Sequence, residues 1–295
     1  MVEKCALCNG EGDRLYDVVD ENRRISNVIF SYMKCLACHT IFLAEPPLDM
    51  ASYYQSSYYQ IPTLSKLKLL ARKSTTKIDT VRRFVQQGRL LEIGPAFGVF
   101  AYQAKQAGFD VDVIEMNQRC SDFVRQELEI NAVCSDKPHE AIQSLPKHEV
   151  IAIWHVLEHL YDPLAFLQAA AHNLKSNGVL VIAVPNPDAL QFRLMGRRWP
   201  HLDAPRHITL IPADILTKKA RELGLEQVSL DSDDGDARSW NRFGWQRLLM
   251  NRFSNKIVQK LMFVVGFFLA WLMAPFEQKQ VKGSVYTVVF RKQGL

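Results

Sequence analysis

A regular alternation of short apolar runs and helical segments begins at Arg89 and constrains the fold more than any other feature. Helix-stop signals, Asn177-Gly178 and Gly224, close two of the helical segments. Strands are predicted at 89–93, 109–115, 132–135, 149–154, 179–184, 225–230 and 285–291. This alternation predicts an α/β fold with a doubly wound, mostly parallel, seven-stranded sheet. Ligands of such sheets bind at the carboxyl ends of the strands, near the point where the strand order reverses.

Two C-x-x-C pairs lie in the first forty residues. The first residues contain no apolar secretion signal, so cysteines at this spacing indicate a metal site more than disulfides. His39 is an alternative ligand, but the regular spacing favours the four cysteines Cys5, Cys8, Cys35 and Cys38. Four thiolates on two tight turns match a closed, structural Zn²⁺ site. We therefore predict a zinc ribbon over 1–44 that folds with its metal, the alternative being four reduced cysteines without one.

The segment 45–88 is predicted to be a tyrosine-rich linker followed by a basic helix. The helix is predicted from Thr63 to Gln87, where Gly88 ends it. The linker tyrosines either line a ligand pocket or pack between domains, and packing is the favoured interpretation. They are Tyr53, Tyr54, Tyr58 and Tyr59.

The segment 155–159 reads HVLEH, which has the H-x-x-E-H pattern of a class of zinc peptidases. A peptidase would need both histidines and the glutamate on one helix, facing a common metal. However, the preceding residues 149–154 form a predicted strand, and Asp162-Pro163 is a strong helix start. The motif is therefore confined to a short connection at the ligand edge of the sheet, and a peptidase is not predicted.

Four segments together resemble the class I S-adenosylmethionine-dependent methyltransferases, which have a Rossmann-like sheet. They are LEIGPAFG at 91–98, the acidic Glu115 at the end of the second strand, WHVLEHLYDP at 154–163 and NGVLVIAVPNP at 177–187. The resemblance covers 89–230 and the last strand. It is nearest to the small-molecule branch with the ubiquinone-pathway O-methyltransferases, and the zinc ribbon also resembles sugar-methylating members. The G-x-x-x-G spacing of the first segment disfavours an NAD site, which needs G-x-G-x-x-G.

The resemblance implies S-adenosylmethionine as cofactor and assigns residues to it. The glycine-rich turn would hold the methionine part, the acidic residue of strand two the ribose, and the turn after strand three the adenine. Two residues after strand four would pack near the methionine and adenosyl parts. In that order these residues are Glu92, Gly94 and Gly98; Glu115; Ser135 or Asp136; and Trp154 and His155. Pro95-Ala96 departs from the family, which has a glycine at the second position.

Glu158 and His159 are predicted to face the acceptor. Methyl transfer gains mainly from alignment and exclusion of water, and a hydroxyl acceptor also benefits from a neutral histidine base. For His159 a base and a structural role are both open; for His155 the structural role is favoured. The family often has a histidine at the position of His207, which makes it the rival catalytic candidate. Four arginines of the same segment predict an anionic acceptor or form a solvated basic face: Arg193, Arg197, Arg198 and Arg206.

An insertion at 236–282 separates the core at 89–235 from the last strand in 283–295. It has six basic residues and no acidic one between Arg238 and Lys260, followed by 16 uncharged residues, Leu261 to Phe276. At about 1.5 Å per residue this run is roughly 24 Å long, shorter than a hydrocarbon core of about 30 Å. We predict a lid or an element lying on the membrane through 238–276. Packing against the sheet or in a homodimer remains the alternative.

The sequence thus predicts methyl transfer from S-adenosylmethionine to a small or lipid-linked acceptor, at a hydroxyl of a phosphate-bearing, sugar or quinone-type molecule. The expected location is the cytoplasm, at the inner face of the membrane. The alternatives are an RNA-binding protein or RNA methyltransferase with a zinc ribbon, and a catalytically silent scaffold. A nucleic-acid partner is disfavoured because the net charge is only +5 and the basic residues adjoin a long apolar run.

Overall fold

The computed structural model describes residues 4–54 and 59–294. The N-terminal module contains strands β1 (Gly12–Val18), β2 (Phe30–Cys35) and β3 (Ile41–Leu43), which pair antiparallel in chain order. Its two C-x-x-C turns are alike, since Asn9 and His39, the residue after each turn, both have a φ of 58°. The two turns therefore bring their cysteines to the same end of the small sheet.

The basic segment forms two helices, α1 (Leu64–Lys73) and α2 (Thr76–Arg82), so the prediction of one helix from Thr63 to Gln87 is wrong. The break lies at Ser74, which has an extended backbone. The side-chain amide of Gln103 donates to the carbonyls of Ala71 and Ser74, at 2.5 and 2.6 Å, and so replaces helical hydrogen bonds. Of the linker tyrosines, Tyr58 lies outside the described residues.

All seven strands that the sequence predicts after residue 88 are present in the structure. The strands and helices are β4 (Arg89–Ile93), α3 (Val99–Gln106), β5 (Asp110–Glu115), α4 (Gln118–Glu127), β6 (Asn131–Cys134), α5 (Pro138–Ala141), β7 (His148–Trp154), α6 (Pro163–Asn173), β8 (Leu174–Pro185), α7 (Leu190–Met195), β9 (Thr209–Leu210), α8 (Ala213–Glu222), β10 (Leu225–Asp231), α9 (Gly235–Met250), α10 (Lys256–Glu277) and β11 (Val285–Lys292). The side chain of Asp162 accepts the Ala165 N–H at 2.8 Å, which confirms the predicted start of α6.

Among the described strands, seven form one sheet in the order β10-β11-β8-β7-β4-β5-β6. The four pairings from β8 to β6 are parallel, while β11 is antiparallel to both of its neighbours. The order reverses at β4, which lies between β5 and β7, and this places a topological switch point at its carboxyl end. The predicted fold class is confirmed.

Helix α6 is shorter than predicted, because it ends at Asn173 and does not extend to the predicted stop signal at Asn177-Gly178. The next residue, Leu174, is fully buried and pairs with His148 of β7. Strand pairing therefore begins five residues before Val179, and Asn177-Gly178 lies inside β8.

The N-terminal module shares a sheet with the rest of the chain. Strand β9 pairs antiparallel with β3, so the small sheet has the order β1-β2-β3-β9 among the described strands. The Tyr32 hydroxyl bonds to the carbonyls of Leu202 and His207, both at 2.6 Å. The Arg206 guanidinium, fully buried, pairs with Asp20 of the module at 2.7 Å. These contacts fix the module against the loop that precedes β9.

The insertion forms the helical hairpin of α9 and α10. Helix α10 is, among the described residues, the one helix whose length and composition would allow it to cross a membrane. Only Gly266, Ala270 and Glu277 of its 22 residues are buried. Packing of α10 into the core of its own chain, one of the predicted alternatives, is therefore wrong.

Candidate active site

A cavity of about 510 Å³ lies at the carboxyl ends of β4, β5 and β7, next to the switch point. Most residues that the resemblance assigned to the cofactor line it: Glu92, Gly94, Glu115, Ser135, Asp136, Trp154 and His155. Tyr54 and Tyr59 of the linker also line it, whereas Tyr53 packs edge-on against Phe30 of the N-terminal module. The cavity thus gathers side chains that are up to 186 positions apart in sequence, since Tyr54 and Trp240 both line it.

The turn after β4 requires left-handed backbone at several positions. Gly94 has a φ of +67°, and a Cβ there would lie 2.5 Å from a methyl carbon of Val156. Ala96 also has a positive φ, 51°, so the turn is kept without the family's glycine and with some backbone strain. Gly98, with a φ of +81°, is not among the residues that line the cavity; a Cβ on it would meet Leu128 at 2.8 Å. Its absent side chain serves the packing of α3 on α4.

Glu115 ends β5 with a carboxylate that is held in place by backbone groups. The N–H of Ala96 donates to Oε2 at 2.9 Å and the N–H of Asn117 donates to Oε1 at 2.8 Å. Burial raises the pKa of Glu115 above its usual value, and these N–H groups oppose the rise. Each oxygen keeps a further lone pair, so the carboxylate can accept two more hydrogen bonds, as a ribose diol would require.

Glu92 and Trp154 carry polar atoms that the chain leaves unsatisfied. Glu92 Oε2 and Trp154 Nε1 are buried and have no hydrogen-bond partner within the described residues. Burial raises the pKa of Glu92 to about 8, although nearby Lys77 lowers it. Buried polar atoms in native proteins are nearly always satisfied, so these two indicate a missing ligand. The unsatisfied oxygen of the buried Glu92 carboxyl suits a cationic ammonium group, whose charge would favour the ionised carboxylate.

His155 adopts a strained conformation between two cavities. Its φ is +56°, and its Nε2 lies 2.7 Å from Asp236 Oδ2, on helix α9. Burial opposes ionisation of Asp236, but the hydrogen bond and charge of His155, together with Lys77 and Trp240, outweigh it and lower the pKa of Asp236 to about 2. A histidine bound to a carboxylate in this way is positioned rather than available, and its structural role stays a prediction.

A second cavity of about 410 Å³ adjoins the first and shares His155, His159 and Trp240 with it. Its other lining residues come from the N-terminal module, the HVLEH connection, the end of β8, the loop before β9 and helix α9. They are Asn22, Arg23, Glu158, Pro185, Pro200, His201, Asp203, His207, Phe243 and Arg247. All three predicted catalytic residues are therefore brought together, in a chamber next to the first cavity.

His159 and His207 face each other with ring centroids 4.7 Å apart. Nδ1 of His159 lies 2.8 Å from the Arg206 carbonyl, and Nδ1 of His207 lies 2.7 Å from the His201 carbonyl. A carbonyl accepts but cannot donate, so we assign the proton of each neutral ring to Nδ1 and the lone pair to Nε2. Burial lowers the pKa of both rings, that of His207 to about 3, which keeps them neutral at pH 7.

Glu158 lies beside these histidines without a partner of its own. Its carboxyl is 1% exposed, and neither oxygen has a hydrogen-bond partner in the described residues. Burial raises its pKa to about 8, so at neutral pH it is mainly a neutral acid. Oε1 lies 4.0 Å from His207 Nε2 and 4.0 Å from His155 Nδ1, beyond hydrogen-bond reach of either. The motif itself forms a 3₁₀ turn, Leu157–His159, which confirms that it lies on no metal-presenting helix.

Residues 65–230 match the family described as a methyltransferase domain, which is more than half of the 295-residue chain. The chain belongs to this family. It is a class I S-adenosylmethionine-dependent methyltransferase, as its motifs predicted.

Curated relatives of this methyltransferase are ubiquinone biosynthesis O-methyltransferases. The protein from Cereibacter sphaeroides strain ATCC 17025 is 26% identical over 174 residues, covering 56% of this chain and 68% of the relative. The protein from Actinobacillus pleuropneumoniae serotype 7 is 27% identical over 107 residues, covering 33% of this chain and 46% of the relative. The match to the second relative thus spans less than half of its length.

Solved structures show the same fold at low identity. One is a putative sarcosine dimethylglycine methyltransferase from Galdieria sulphuraria, with a TM-score of 0.50, 16% identity, and coverage of 78% of this chain and 86% of that one. Another is a phosphoethanolamine N-methyltransferase from Haemonchus contortus, with a TM-score of 0.50, 13% identity, and coverage of 75% and 53%. At these identities the likeness concerns the fold alone.

The four N-terminal cysteines of the methyltransferase converge on one point. Their Sγ atoms all lie within 4.8 Å of one another, with Cys5–Cys38 at 3.7 Å and Cys8–Cys35 and Cys8–Cys38 at 3.4 Å. A disulfide needs sulfurs about 2.05 Å apart, whereas tetrahedral zinc–thiolate bonds of about 2.3 Å place sulfurs roughly 3.8 Å apart. The donor set therefore fits Zn²⁺, and the exposed His39 is outside it.

The sequence interpretation missed the part that helix α9 plays in the site. Asp236, Trp240, Phe243 and Arg247 line the cavities, and their spacing of four, three and four residues places them on one helical face. That spacing was visible in the sequence. The contribution of Asn22 and Arg23 from the N-terminal module was not, because it depends on the pairing of β3 with β9.

The arginines proposed for an anionic acceptor lie elsewhere or are already paired. Arg206 is held by Asp20 and Asp203, with four hydrogen bonds between 2.7 and 3.2 Å, so its charge is neutralised inside the protein. Arg193, Arg197 and Arg198 are not among the residues that line the two cavities. Arg247 lines the chamber instead, with a buried Nε that has no partner in the described residues.

Proposed function

We propose that this methyltransferase transfers a methyl group to a hydroxyl of a small or lipid-linked, anionic acceptor. The observation that carries this proposal is the chamber beside the larger cavity. It contains two neutral histidines with free Nε2 lone pairs, and it also contains an arginine with an unsatisfied N–H. A chamber with a base and a cation suits an acceptor that must lose a proton and that carries a negative charge.

The larger cavity is assigned to the cofactor. Glu92 would hold the ammonium of the methionine part, Glu115 the ribose hydroxyls, and Ser135 or Asp136 the adenine, while Gly94 allows the close approach. Trp154 also lines this cavity, and His155 lines both the cavity and the chamber. S-Adenosylmethionine supplies an electrophilic methyl group on a sulfonium, with a neutral thioether as the leaving group.

His159 is proposed as the general base, because it borders both cavities whereas His207 lines only the chamber. It would accept the acceptor's hydroxyl proton at Nε2, and its Nδ1–H bond to the Arg206 carbonyl would stabilise the resulting imidazolium. Glu158 and His207 would hold the acceptor hydroxyl by hydrogen bonds. Alignment and exclusion of water provide the rest of the acceleration, and Tyr54 and Trp240 enclose the chamber at its junction with the cofactor cavity.

Oxygen as the methylated atom is supported by the relatives, whose names state O-methyltransferase activity in ubiquinone biosynthesis. An aromatic acceptor is further supported by Trp240 and Phe243, whose rings lie 5.5 Å apart on the chamber wall. We propose that the reaction takes place in the cytoplasm, at the inner face of the membrane.

The acceptor class can be tested with a catechol that carries a carboxylate and with the same catechol without it. We expect the full-length protein to transfer labelled methyl groups from S-adenosylmethionine to a hydroxyl of the anionic catechol in preference to the neutral one. Arg247→Gln should raise KM for the anionic acceptor roughly tenfold or more and leave the neutral one unchanged, because it removes a charged hydrogen bond. Arg193→Gln, at an exposed position on α7, is the matched control. Equal use of both acceptors would contradict the anionic class, and a methyl group on a ring carbon would contradict the hydroxyl.

Zinc at Cys5, Cys8, Cys35 and Cys38 is proposed as a structural metal that joins the two C-x-x-C turns. The site has no open position, so it takes no part in the reaction. Metal analysis of protein purified under reducing conditions without chelator should find one zinc per chain. Its absence in folded protein would overturn the proposal.

A further inference from the structure

Helix α10 carries a dense group of exposed large hydrophobic side chains. Ten of the 22 large hydrophobic side chains that are exposed in the described residues lie on this helix. They include Phe268 and Trp271, which are 62% and 73% exposed, and the others are Ile257, Leu261, Phe263, Val264, Val265, Phe267, Leu272 and Phe276. A surface of this extent on a soluble chain marks an interaction site.

Both ends of α10 are tied to the same folded body. At its C-terminal end, the buried Glu277 accepts hydrogen bonds from Gln191 at 2.8 Å and Trp245 at 2.9 Å. Just before its N-terminal end, the Asn251 carbonyl accepts a hydrogen bond from Arg24 of the N-terminal module at 3.0 Å. A helix that crosses a bilayer must have its ends on opposite sides. Helix α10 therefore lies along the surface of the protein, although its 22 residues would be long enough to span.

Close packing on α9 fixes which face of α10 is presented. A Cβ on Gly266 would lie 2.6 Å from the Cα of Gln246, so the two helices cross there at backbone distance. An adjacent face of α9 lines the acceptor chamber with Trp240, Phe243 and Arg247. One helix thus separates the chamber from the apolar surface.

The charges around this surface favour one kind of partner. No aspartate or glutamate occurs between residues 237 and 276, whereas six basic residues do. Arg252, Lys256 and Lys260, which surround the start of α10, form no ion pair with an acidic residue of the described chain. A second copy of the chain would bring one basic surface against another. An anionic bilayer matches both the apolar face and the basic flank.

We propose that α10 docks in the plane of an anionic lipid bilayer, with its apolar face in the headgroup and upper acyl region and its basic flank on the lipid phosphates. This orientation places the acceptor chamber one helix away from the lipid. Resting on the proposed function, it favours an amphiphilic acceptor whose anionic head enters the chamber while its apolar tail stays in the bilayer.

Co-sedimentation with vesicles tests the docking. The full-length protein should sediment with vesicles of phosphatidylglycerol and phosphatidylcholine, and much less with phosphatidylcholine alone. The double variant Phe268→Ser, Trp271→Ser should lower the partition constant for the anionic vesicles roughly tenfold or more. Ile29→Ser, at an exposed position of the N-terminal module, should leave it unchanged.

Binding of S-adenosylhomocysteine, measured by calorimetry on each variant, separates this proposal from the proposed function. Protein that binds the cofactor product but not anionic vesicles would overturn the docking alone. Concentration-dependent dimerisation that the double variant abolishes, without vesicle binding, would also overturn it in favour of a second copy.

A conservative variant covers the case in which the double variant does not fold. Vesicles with brominated acyl chains should quench tryptophan fluorescence of the wild type. Trp271→Phe keeps the apolar face and should lose a large share of this quenching while it still sediments. Unchanged quenching in Trp271→Phe would overturn insertion at this face.

Discussion

Two buried polar clusters lie at opposite ends of β7 and differ in whether the chain satisfies them. At the amino end, His148 bonds to Asp112 Oδ2 at 2.9 Å and to Asn173 Oδ1 at 2.7 Å, and the Asn173 amide donates to three carbonyls. At the carboxyl end, the Glu158 carboxyl lies next to two histidines and has no partner.

The difference shows what each cluster is for. Hydrogen bonds within the first cluster outweigh burial and lower the pKa of Asp112, so the charged form is stabilised in the fold. In the second, burial acts without such bonds and raises the pKa of Glu158 to about 8. Unsatisfied buried groups cost stability, and their presence at the ligand edge indicates that a ligand completes them. The first cluster supports the fold, and the second is built for binding and proton transfer.

The largest expected effect concerns the base. His159→Ala should lower kcat for methyl transfer by about 100-fold or more, because a positioned general base typically contributes this much. His207→Ala should cost less, since His207 lines only the chamber. His172→Ala, at an exposed position of α6, should have no effect. A larger loss of kcat in His207→Ala than in His159→Ala would make His207 the general base and contradict the assignment to His159.

The opposite result is expected at the satisfied cluster. His148→Ala leaves Asp112 and Asn173 each without a buried partner and should lower the free energy of unfolding by about 3 kcal/mol. Urea denaturation of the variant measures this loss. Turnover per folded molecule should stay at the wild-type level. A fall in kcat comparable to that of His159→Ala would contradict the purely structural role of the first cluster.

A smaller effect appears in the pH dependence of stability. The folded-state pKa of Glu158, about 8, exceeds its ordinary value of 4.5, so the folded protein binds an extra proton between these values. The contribution of protonated Glu158 to the free energy of unfolding is therefore complete below about pH 4.5 and declines as the pH rises towards 8. Glu158→Gln has no proton to lose, so its stability relative to wild type should rise over this interval. The exposed Glu129→Gln should run parallel to wild type, and a parallel curve for Glu158→Gln would contradict the raised pKa.

Local signals in the sequence were sufficient for the sheet and for most of the cofactor edge. Strand-length apolar runs, the Asp162-Pro163 helix start and the acidic end of β5 all act within a few residues of where they occur. The two cysteine pairs were found in the same way, from their spacing.

Features that depend on distant contacts were not predicted. The break at Ser74 depends on Gln103, and the early start of β8 depends on the pairing of Leu174 with His148. The charge of Arg206 is neutralised by Asp20, 186 positions away. The role of α9 in the site requires its packing against the loop before β9.

Calorimetric titration with S-adenosylhomocysteine tests the cofactor assignment most directly. Wild-type protein should bind one molecule per chain, and Glu115→Ala should weaken binding roughly tenfold or more through loss of charged hydrogen bonds. Asp110→Ala, at the exposed opposite end of the same strand, should bind like wild type. Equal affinities of wild type and Glu115→Ala would contradict the assignment of the ribose to Glu115, and no binding to the folded wild type would contradict the account of the cavity as the cofactor site.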